Sequence, residues 1–505
     1  MNWNRHMHGF SATLKKAMSG KKAGSGSGPG DDKSMLIVVN REDGLGGRLL
    51  AMANAKSLAD RLGYRFGFTW NSRDIVDQES HTVDVVGKIF SADFIEKHWL
   101  GETIKAADFG VLGGTAFVPS DLEAVARGGK LRGWICDDFD VLDFFRDEGV
   151  PPARSETLRA FGFAPAVRQA LDAADKCRFP GPMAALHLRS GDIVYGRHRR
   201  RLVFADKVIP STLAKAIVSE LSSKGLTTLL VGQDRATVDY ISAQTGALRT
   251  DDFGVADFRG EEALSAFFEM ALMARCQQIH AGNSIYAAVA SVMGEVPCVG
   301  ASALFSKPRA AEIIVEELKA HQADYHPLEA AFGYQWSFLS LEDEISPARA
   351  RALLEKAQAL DPENDAYDLK MAAAHFREGN YPAGDAILKS LMTSQSRVRT
   401  KIPLPMMDIL VDRVGDQLTM VRDFEVFFAA ARAGHPYAMA CSAYILLEVL
   451  GDRKAAVEMA GKLVTMEPAN RIFRRIKRRV RLGKKPKSGL ARIKWRLGRL
   501  MTSWP

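Results

Sequence analysis

Residues 184–192 read Ala-Ala-Leu-His-Leu-Arg-Ser-Gly-Asp, and this stretch decides both the fold and the site. An apolar run enters it from Pro182 and a Ser-Gly-Asp turn closes it, which predicts a buried strand that ends in a loop. His187 and Arg189 stand two residues apart and therefore share a face at the carboxyl end of that strand. Ligands of open α/β sheets bind at this end, and a guanidinium there suits forked hydrogen bonds to phosphate oxygens. Asp192 either orients Arg189 or caps the following segment.

A glycine-rich turn lies near the start of the chain. Residues 35–40, Met-Leu-Ile-Val-Val-Asn, form a continuous apolar run, which predicts a buried parallel strand. Residues 43–48, Asp-Gly-Leu-Gly-Gly-Arg, come next, and leucines at helical spacing then continue to Leu62, with Gly63 as a stop signal. The pattern predicts a strand, a glycine loop and a helix. Such glycines let backbone N–H groups approach an anion, although tight strand-to-helix turns also use glycine.

The first 300 residues alternate apolar runs with helical segments, which predicts a doubly wound α/β fold. Further strands are predicted at residues 65–70, 109–112, 131–136 and 226–232. Asp234 follows the last of these strands and either approaches a ligand or caps the next helix. The acids of residues 137–140 cap a helix or, in a metal-dependent alternative, bind a divalent cation through Asp138 and Asp140. The basic run 197–201 lies near the predicted phosphate site, and we interpret it as a solvated loop.

Three motifs resemble those of the GDP-fucose-dependent fucosyltransferases, which include nodulation α1,6-, α1,2- and protein O-fucosyltransferases. Residues 187–192 are similar to the superfamily's His-x-Arg-x-x-Asp signature, with Ser190 where many members carry a second Arg. The glycine loop resembles the Gly-x-Gly-Asn loop of the superfamily, with Gly47 in place of the Asn. Residues 265–294 resemble a block in which an acid, a helix, an Asn/Ser-Ser turn and a second helix follow each other.

The resemblance implies an inverting, metal-independent glycosyltransferase of the GT-B type that takes fucose or a related hexose from a GDP-sugar. It implies an acceptor-side Rossmann-like domain at residues 35–176 and a donor-nucleotide Rossmann-like domain at residues 177–330. The GDP-sugar is then the substrate, and no cofactor is implied. Arg189 would be the catalytic residue, because the first Arg of the motif holds the donor diphosphate in that superfamily. The donor-binding candidates are Gly44, Gly46, Gly47, Arg48, His187, Asp192, Asp234, Glu269, Asn283 and Ser284.

The sequence leaves the acceptor and the general base open. A glycan, a lipid-linked saccharide, an envelope-polysaccharide precursor and a protein hydroxyl are all conceivable acceptors. Asp43, Glu42 and His98 are candidates for the general base, and spacing selects none of them. An alternative from another class is a non-catalytic scaffold with a degenerate nucleotide-sugar-binding half.

Residues 345–470 change to helix pairs that resemble tetratricopeptide repeats. The spacing is near 34 residues, small residues stand at the helix crossings, and a proline ends the motif. The segment 401–433 is predicted to be helical but departs from the repeat consensus. Stacked helix pairs of this kind bind a peptide or protein partner, or else they pack on the catalytic domains.

The two ends of the chain differ from its body in composition. Residues 1–34 are rich in Gly and Ser, which predicts a flexible extension. Residues 471–505 hold 14 Lys and Arg and no acid, so the formal charge of +8 belongs to this tail. Ile472, Phe473, Ile476 and Val480 share one helical face there, and a second face carries Leu490, Ile493, Leu497, Leu500 and Met501, with Trp495 and Trp504 nearby. The pattern favours binding to an anionic membrane surface over contact with RNA or a merely solvated face.

Cysteine usage and apolar runs bear on the compartment. The five cysteines are odd in number and have no paired metal-ligand spacing, which favours a reducing compartment. No run approaches the ~18 apolar residues of a membrane span. We therefore predict a cytoplasmic protein that associates peripherally with the inner face of a membrane.

Overall fold

The computed structural model describes residues 35–73, 83–113, 117–129, 131–139, 141–144, 154–399, 401–414 and 417–482. The predicted extension 1–34 and the tail beyond Leu482 lie outside these residues. The chain divides into two compact units. The first takes its residues from Met1–Gly191, Lys207–Ile209 and Ala214–Leu304, and the second from Asp192–Asp206, Pro210–Leu213 and Phe305–Pro505.

The first unit contains a four-stranded sheet in the order β2-β1-β4-β3, and all of its strands are parallel. Its strands are β1 (Leu36–Val39), β2 (Arg65–Phe68), β3 (Phe109–Leu112) and β4 (Gly133–Cys136). The helices of this half are α1 (Leu45–Leu62), α2 (Val86–Ile89), α3 (Ala92–His98), α4 (Pro119–Gly129), α5 (Arg154–Arg159) and α6 (Pro165–Lys176). The continuous apolar runs therefore form parallel strands buried between helices, as their pattern predicts.

A second sheet of the same unit has five parallel strands in the order β7-β6-β5-β8-β9. Its strands are β5 (Met183–Leu188), β6 (Thr227–Gly232), β7 (Leu248–Arg249), β8 (Gln278–His280) and β9 (Cys298–Val299). The helices along this part of the chain are α7 (Gly191–Val194), α8 (Ala214–Ser223), α9 (Arg235–Thr245), α10 (Glu262–Ala274) and α11 (Ile285–Gly294). The mixed α/β class predicted from the sequence is thus confirmed, and β5 lies at the centre of its sheet.

The two sheets of the first unit share one hydrophobic core. Ile37 of β1 and Leu229 of β6 belong to the same cluster of buried side chains. Phe163 and Phe267 join the two halves directly, with ring centroids 5.1 Å apart. Burial of a large apolar side chain contributes roughly 1.5–3 kcal/mol. This shared core fixes the carboxyl end of β1 relative to that of β5.

Helix α1 begins earlier than the sequence predicts. The sequence pattern predicts a loop at Gly46 and Gly47, whereas the helix starts at Leu45 with Gly44 as its N-cap, so both glycines lie in the first turn. At the other end, Gly63 takes a φ of +66° and donates back to carbonyl groups of the last turn, as predicted for a helix stop. The glycine loop is therefore reduced to the few residues between β1 and Leu45.

The second unit is built mainly from helices. They are α12 (Lys307–His321), α13 (Pro327–Leu341), α14 (Pro347–Leu360), α15 (Asp365–Arg377), α16 (Tyr381–Val398), α17 (Pro405–Leu410), α18 (Phe424–Arg432), α19 (Pro436–Glu448), α20 (Arg453–Met466) and α21 (Arg471–Leu482). The segment 401–433 is not helical throughout, because β10 (Arg413–Val414) and β11 (Gln417–Leu418) form an antiparallel pair between α17 and α18. Two-residue strands leave no period-2 pattern that a sequence could reveal.

The second unit contains a buried network of charged side chains. Lys370 is 2% exposed, and its Nζ lies 2.7 Å from Oε1 of Glu342 and 2.8 Å from Oδ2 of the fully buried Asp423. Arg377 donates a further hydrogen bond to Asp423. Burial alone would lower the pKa of Lys370, but the two carboxylates raise it above its ordinary value. The lysine is therefore charged, and its network links α15 to the end of α13 and the start of α18.

The basic run 197–201 is not a solvated loop. Arg199 lies 3.2 Å from Asp361 and 2.8 Å from Glu363, both in the turn after α14. Arg201 lies 3.3 Å from Asp412. These guanidinium groups of the second unit are paired with carboxylates of that unit.

Candidate functional site

Two helices of the first unit begin next to each other. A Cβ at Gly46 would stand 3.3 Å from Cα of Tyr286 and 3.4 Å from its backbone nitrogen. The lack of a side chain at Gly46 therefore lets the first turn of α1 touch the first turn of α11. Each helix start carries N–H groups without intrahelical partners and a positive partial charge. Two such starts together suit an anion that carries more than one phosphate.

Ser284 supplies a hydroxyl at this junction. It is the N-cap of α11 and is 2% exposed, but its side chain does not cap the helix. Its Oγ is buried, and no other described residue offers it a hydrogen bond. A buried hydroxyl without a protein partner is costly unless a ligand or water satisfies it. Asn283 precedes it and is exposed.

The end of β5 places His187 and Arg189 beside the same helix. The ring of His187 stacks on Tyr286, with centroids 5.3 Å apart and an interplanar angle of 29°. Burial, and then the nearby charge of Arg189, lower the pKa of His187 to about 3. The imidazole is therefore neutral at physiological pH. Arg189 directly follows the last strand residue, Leu188, so its charge lies at the carboxyl edge of the sheet.

Glu269 lies behind Tyr286. The Tyr286 hydroxyl is 3.0 Å from Oε2 of Glu269 and 3.0 Å from the carbonyl of Ala266. Thr250 donates to the other carboxyl oxygen of Glu269 at 3.2 Å. Burial raises the pKa of Glu269 to about 7, against the opposing effect of these hydrogen bonds. The carboxyl is therefore partly protonated at neutral pH and can act as a donor or an acceptor.

Arg48 points into the protein. It is 2% exposed, its Nε donates to the carbonyl of Asp43 at 2.8 Å, and its other two nitrogens donate to the carbonyl and side-chain oxygens of Asn71, both at 2.9 Å. The guanidinium also lies over Trp70, 4.8 Å from the ring centroid. Burial lowers the pKa of Arg48 to about 10. In this structure Arg48 fixes the backbone in front of α1.

The carboxylate of Asp43 lies against Gly47. Nε of Arg41 is 3.0 Å from Oδ1 of Asp43, and Nη2 of Arg41 is 2.6 Å from Oδ2. The Asp43 side chain is 40% exposed. Because its backbone carbonyl is held by Arg48 and its carboxylate by Arg41, Asp43 has a defined position at the start of α1.

The other two candidates for the general base lie in different surroundings. Glu42 is exposed, and Nδ1 of His98 lies 3.1 Å from the carbonyl of Phe66 in mid-strand.

Two predicted donor-binding acids make contacts within the protein. Asp234 is the N-cap of α9 and accepts hydrogen bonds from the backbone N–H of Thr237 at 3.3 Å and from its hydroxyl at 2.5 Å. Of the two roles that the sequence left open, the structure shows helix capping. The carboxylate of Asp192 lies 3.8 Å from Nε2 of His198 in the second unit.

Asp137 and Asp138 follow β4 and belong to the described residues. The Asp137 carboxylate accepts a hydrogen bond from the backbone N–H of Asn40 at 2.8 Å, which joins the ends of β4 and β1. Among the residues that the structure describes, no group of three or more His, Cys, Asp or Glu is placed to hold a metal ion. Asp140 lies outside the described residues.

Sequence reasoning missed three residues that shape the site. Tyr286 carries the contacts to Gly46, His187 and Glu269, and its only signal is an aromatic residue in the first turn of a small-residue helix. Thr250 makes one hydrogen bond to Glu269, and Asn71 accepts two from Arg48, each across about 20 residues of the chain. No local pattern indicates contacts of that kind.

No family model matches the chain, and no curated protein matches it. Among solved structures, the chain is similar to the fucosyltransferase NodZ from Bradyrhizobium, with 15% identity and a TM-score of 0.34 over 54% of this chain and 97% of that one. It is also similar to POFUT1 in complex with GDP, with 10% identity and a TM-score of 0.29 over 54% of this chain and 99% of that one. The aligned part is about half of this chain.

Proposed function

We propose that the protein is an inverting glycosyltransferase that transfers fucose or a related hexose from a GDP-sugar to a hydroxyl of an acceptor. One observation carries the proposal: two helix starts meet at Gly46 and Tyr286, beside the strand end that bears Arg189. The Ser284 hydroxyl, buried and without a partner among the described residues, adds a donor at the same place. A diphosphate matches this set of N–H, hydroxyl and guanidinium donors.

The chemistry then needs charge stabilisation more than covalent catalysis. An acceptor hydroxyl attacks the anomeric carbon, and the bond from that carbon to the β-phosphate oxygen of GDP breaks. Arg189 stabilises the charge that develops on the departing diphosphate. Loss of one well-placed donor of this kind typically costs about 3–4 kcal/mol of transition-state stabilisation. The helix starts at Leu45 and Ile285 assist from their N–H groups.

Asp43 is the group that we assign as general base. Its carboxylate lies against Gly47 in the first turn of α1, beside the proposed diphosphate site, whereas the His98 ring contacts the carbonyl of Phe66. Arg41 bonds to both oxygens of that carboxylate, and the Asp43 side chain is 40% exposed, so an acceptor hydroxyl can approach it. Asp43 would take the acceptor proton while GDP leaves.

Glu269 recognises the guanine edge, because a carboxyl with a pKa near 7 can either accept a hydrogen bond from the base or donate one to it.

Residues 35–176 and 177–330 form the two Rossmann-like domains of a GT-B enzyme, and residues 345–470 form tetratricopeptide-like repeats that bind a protein partner. Catalysis needs no metal, and the enzyme works in the cytoplasm on a glycan, a lipid-linked saccharide or a protein.

The proposal is tested by thermal unfolding in chelator against GDP, GDP-fucose, UDP-sugars and CMP-sugars. A ligand that binds the native state raises the free energy of unfolding by about 2.7 kcal/mol at a hundred times its Kd. We expect GDP and GDP-fucose to raise the melting temperature of the wild type but not of Arg189→Ala. The matched control is Arg178→Ala, which changes an exposed arginine before β5, at the opposite end of that strand.

Each result has a distinct meaning. A rise in melting temperature with UDP- or CMP-sugars alone would mean that the donor is one of these sugars, and the proposal of a glycosyltransferase would stand. No shift with any nucleotide would favour the scaffold, whose cellular role Arg189→Ala should leave intact.

A further inference from the structure

The last described helix, α21, carries a strong positive charge on one side. Seven of its 12 residues are Lys or Arg. The sequence predicts that its apolar face enters a membrane, and the structure corrects this. Phe473, Ile476 and Val480 are fully buried and Ile472 is 7% exposed, all within the core of the second unit. That face is occupied by protein and is not available to lipid.

The opposite side of α21 forms a cationic stripe, which we define as Arg474, Lys477, Arg478 and Arg481. Their spacing of i, i+3, i+4 and i+7 puts them on one face of the helix. They line an open groove of about 280 Å³ together with Leu482. Among the described residues, Arg479 is the cation of this helix that pairs with a carboxylate, at 3.1 Å from Glu448. Within the part of the chain that the structure describes, the four stripe residues form no ion pair with a carboxylate.

We propose that the cationic stripe docks the protein on the surface of a bilayer rich in acidic phospholipids, through charge and without insertion of α21. Each basic residue close to such a surface strengthens binding by roughly fivefold. A helix whose other face is packed in a core holds these charges together on a fixed backbone, so little backbone freedom is lost on binding.

The sequence that follows the helix favours lipid over nucleic acid as the partner. Residues 483–505 add seven more cations and also Leu490, Ile493, Leu497, Trp495 and Trp504. Apolar side chains and tryptophans partition into the membrane interface, whereas binding to a phosphate backbone has no use for them. The composition of this following sequence therefore favours an acidic bilayer as the partner of the stripe.

The test is sedimentation of the full-length protein with phosphatidylcholine vesicles that contain or lack phosphatidylserine, at low and high salt. The variant replaces all four stripe residues: Arg474→Gln, Lys477→Gln, Arg478→Gln and Arg481→Gln. The matched control removes four exposed cations elsewhere in the second unit: Arg309→Gln, Lys319→Gln, Lys389→Gln and Arg432→Gln. Thermal unfolding checks that both variants keep their fold, as expected because the buried face is unchanged.

We expect the wild type to bind acidic vesicles in a salt-sensitive manner and neutral vesicles at least tenfold more weakly. The stripe variant should lose at least tenfold in binding to acidic vesicles, and the control variant should lose less than threefold. Equal binding of wild type and stripe variant would overturn the proposal, and so would equal binding to neutral and acidic vesicles. Duplex RNA serves as a competitor for the vesicles. If it releases the wild type when the concentration of RNA phosphate is below that of lipid phosphate, the stripe binds nucleic acid instead.

Discussion

Asp43 and Gly47 occupy one space at the start of α1: a Cβ at position 47 would stand 2.6 Å from Cγ of Asp43. The carboxylate therefore fills the volume that a side chain at position 47 would take. The sequence shows Gly47 only as a departure from a Gly-x-Gly-Asn loop. The structure explains the glycine, because the Asp43 carboxylate already occupies the space of a side chain at position 47.

Gly47→Ala tests this relationship. The new methyl group must displace the Asp43 carboxylate and disturb its pairing with Arg41, and such overpacking typically costs about 1–3 kcal/mol. The matched control is Gly87→Ala, since Gly87 is also helical but has open space around it. Both variants gain helix propensity, so the difference between their unfolding free energies isolates the clash. The double variant Gly47→Ala with Asp43→Gly should recover most of the loss, and equal stability of both single variants would contradict the packing argument.

Arg48→Lys should destabilise the first unit although it keeps the charge. A lysine cannot reproduce the forked hydrogen bonds to Asp43 and Asn71 or the stacking on Trp70. Loss of buried charge-assisted hydrogen bonds suggests a cost of about 2–4 kcal/mol in unfolding free energy. Arg65→Lys, at an exposed position of β2, is the control and should change stability by less than about 0.5 kcal/mol. Thermal unfolding measures both variants. Equal melting temperatures of Arg48→Lys and Arg65→Lys would show that these contacts of Arg48 do not stabilise the fold.

The sequence predicts the strands well because their apolar runs are continuous and end in turn residues. It also indicates Ser284 and Arg189, since each stands at a boundary between elements that local patterns mark. Arg48 shows where prediction from the sequence ends. An arginine beside a glycine loop can bind a phosphate or can point inward and anchor the backbone. Its partners Asn71 and Trp70 determine which role it takes, and they lie more than 20 residues away in the chain. Phe473 and Ile476 show a second limit, because an amphipathic pattern reports that a face is apolar but not what covers it.

Glu269 should make the stability of the first unit depend on pH. The folded protein holds a proton on this carboxyl up to about pH 7, whereas the unfolded chain releases it near 4.5. The native state thus binds more protons over that interval, so stability falls as pH rises through it. Glu269→Gln removes this penalty, which we take as about 2 kcal/mol after a discount for partial exposure.

The melting temperature of Glu269→Gln should therefore match that of the wild type near pH 4.5 and exceed it by about 4 °C at pH 8. Glu96→Gln, at an exposed site of the same unit, should show a constant offset across the series. A constant offset for Glu269→Gln as well would mean that the carboxyl titrates at its ordinary pKa in the folded protein.

Lys370 provides the last prediction, in the second unit. Lys370→Met leaves the carboxylates of Asp423 and Glu342 buried beside each other, and breaking a buried pair from one side typically costs about 3–5 kcal/mol. Lys389→Met, at an exposed position of α16, should cost less than about 0.5 kcal/mol. The double variant Lys370→Met with Asp423→Leu removes one of these two carboxylates, so it should be more stable than Lys370→Met alone, as measured by thermal unfolding. If the second substitution adds to the loss instead, Asp423 stabilises the start of α18 independently of the lysine, and Arg377, which also bonds to Asp423, becomes its principal partner.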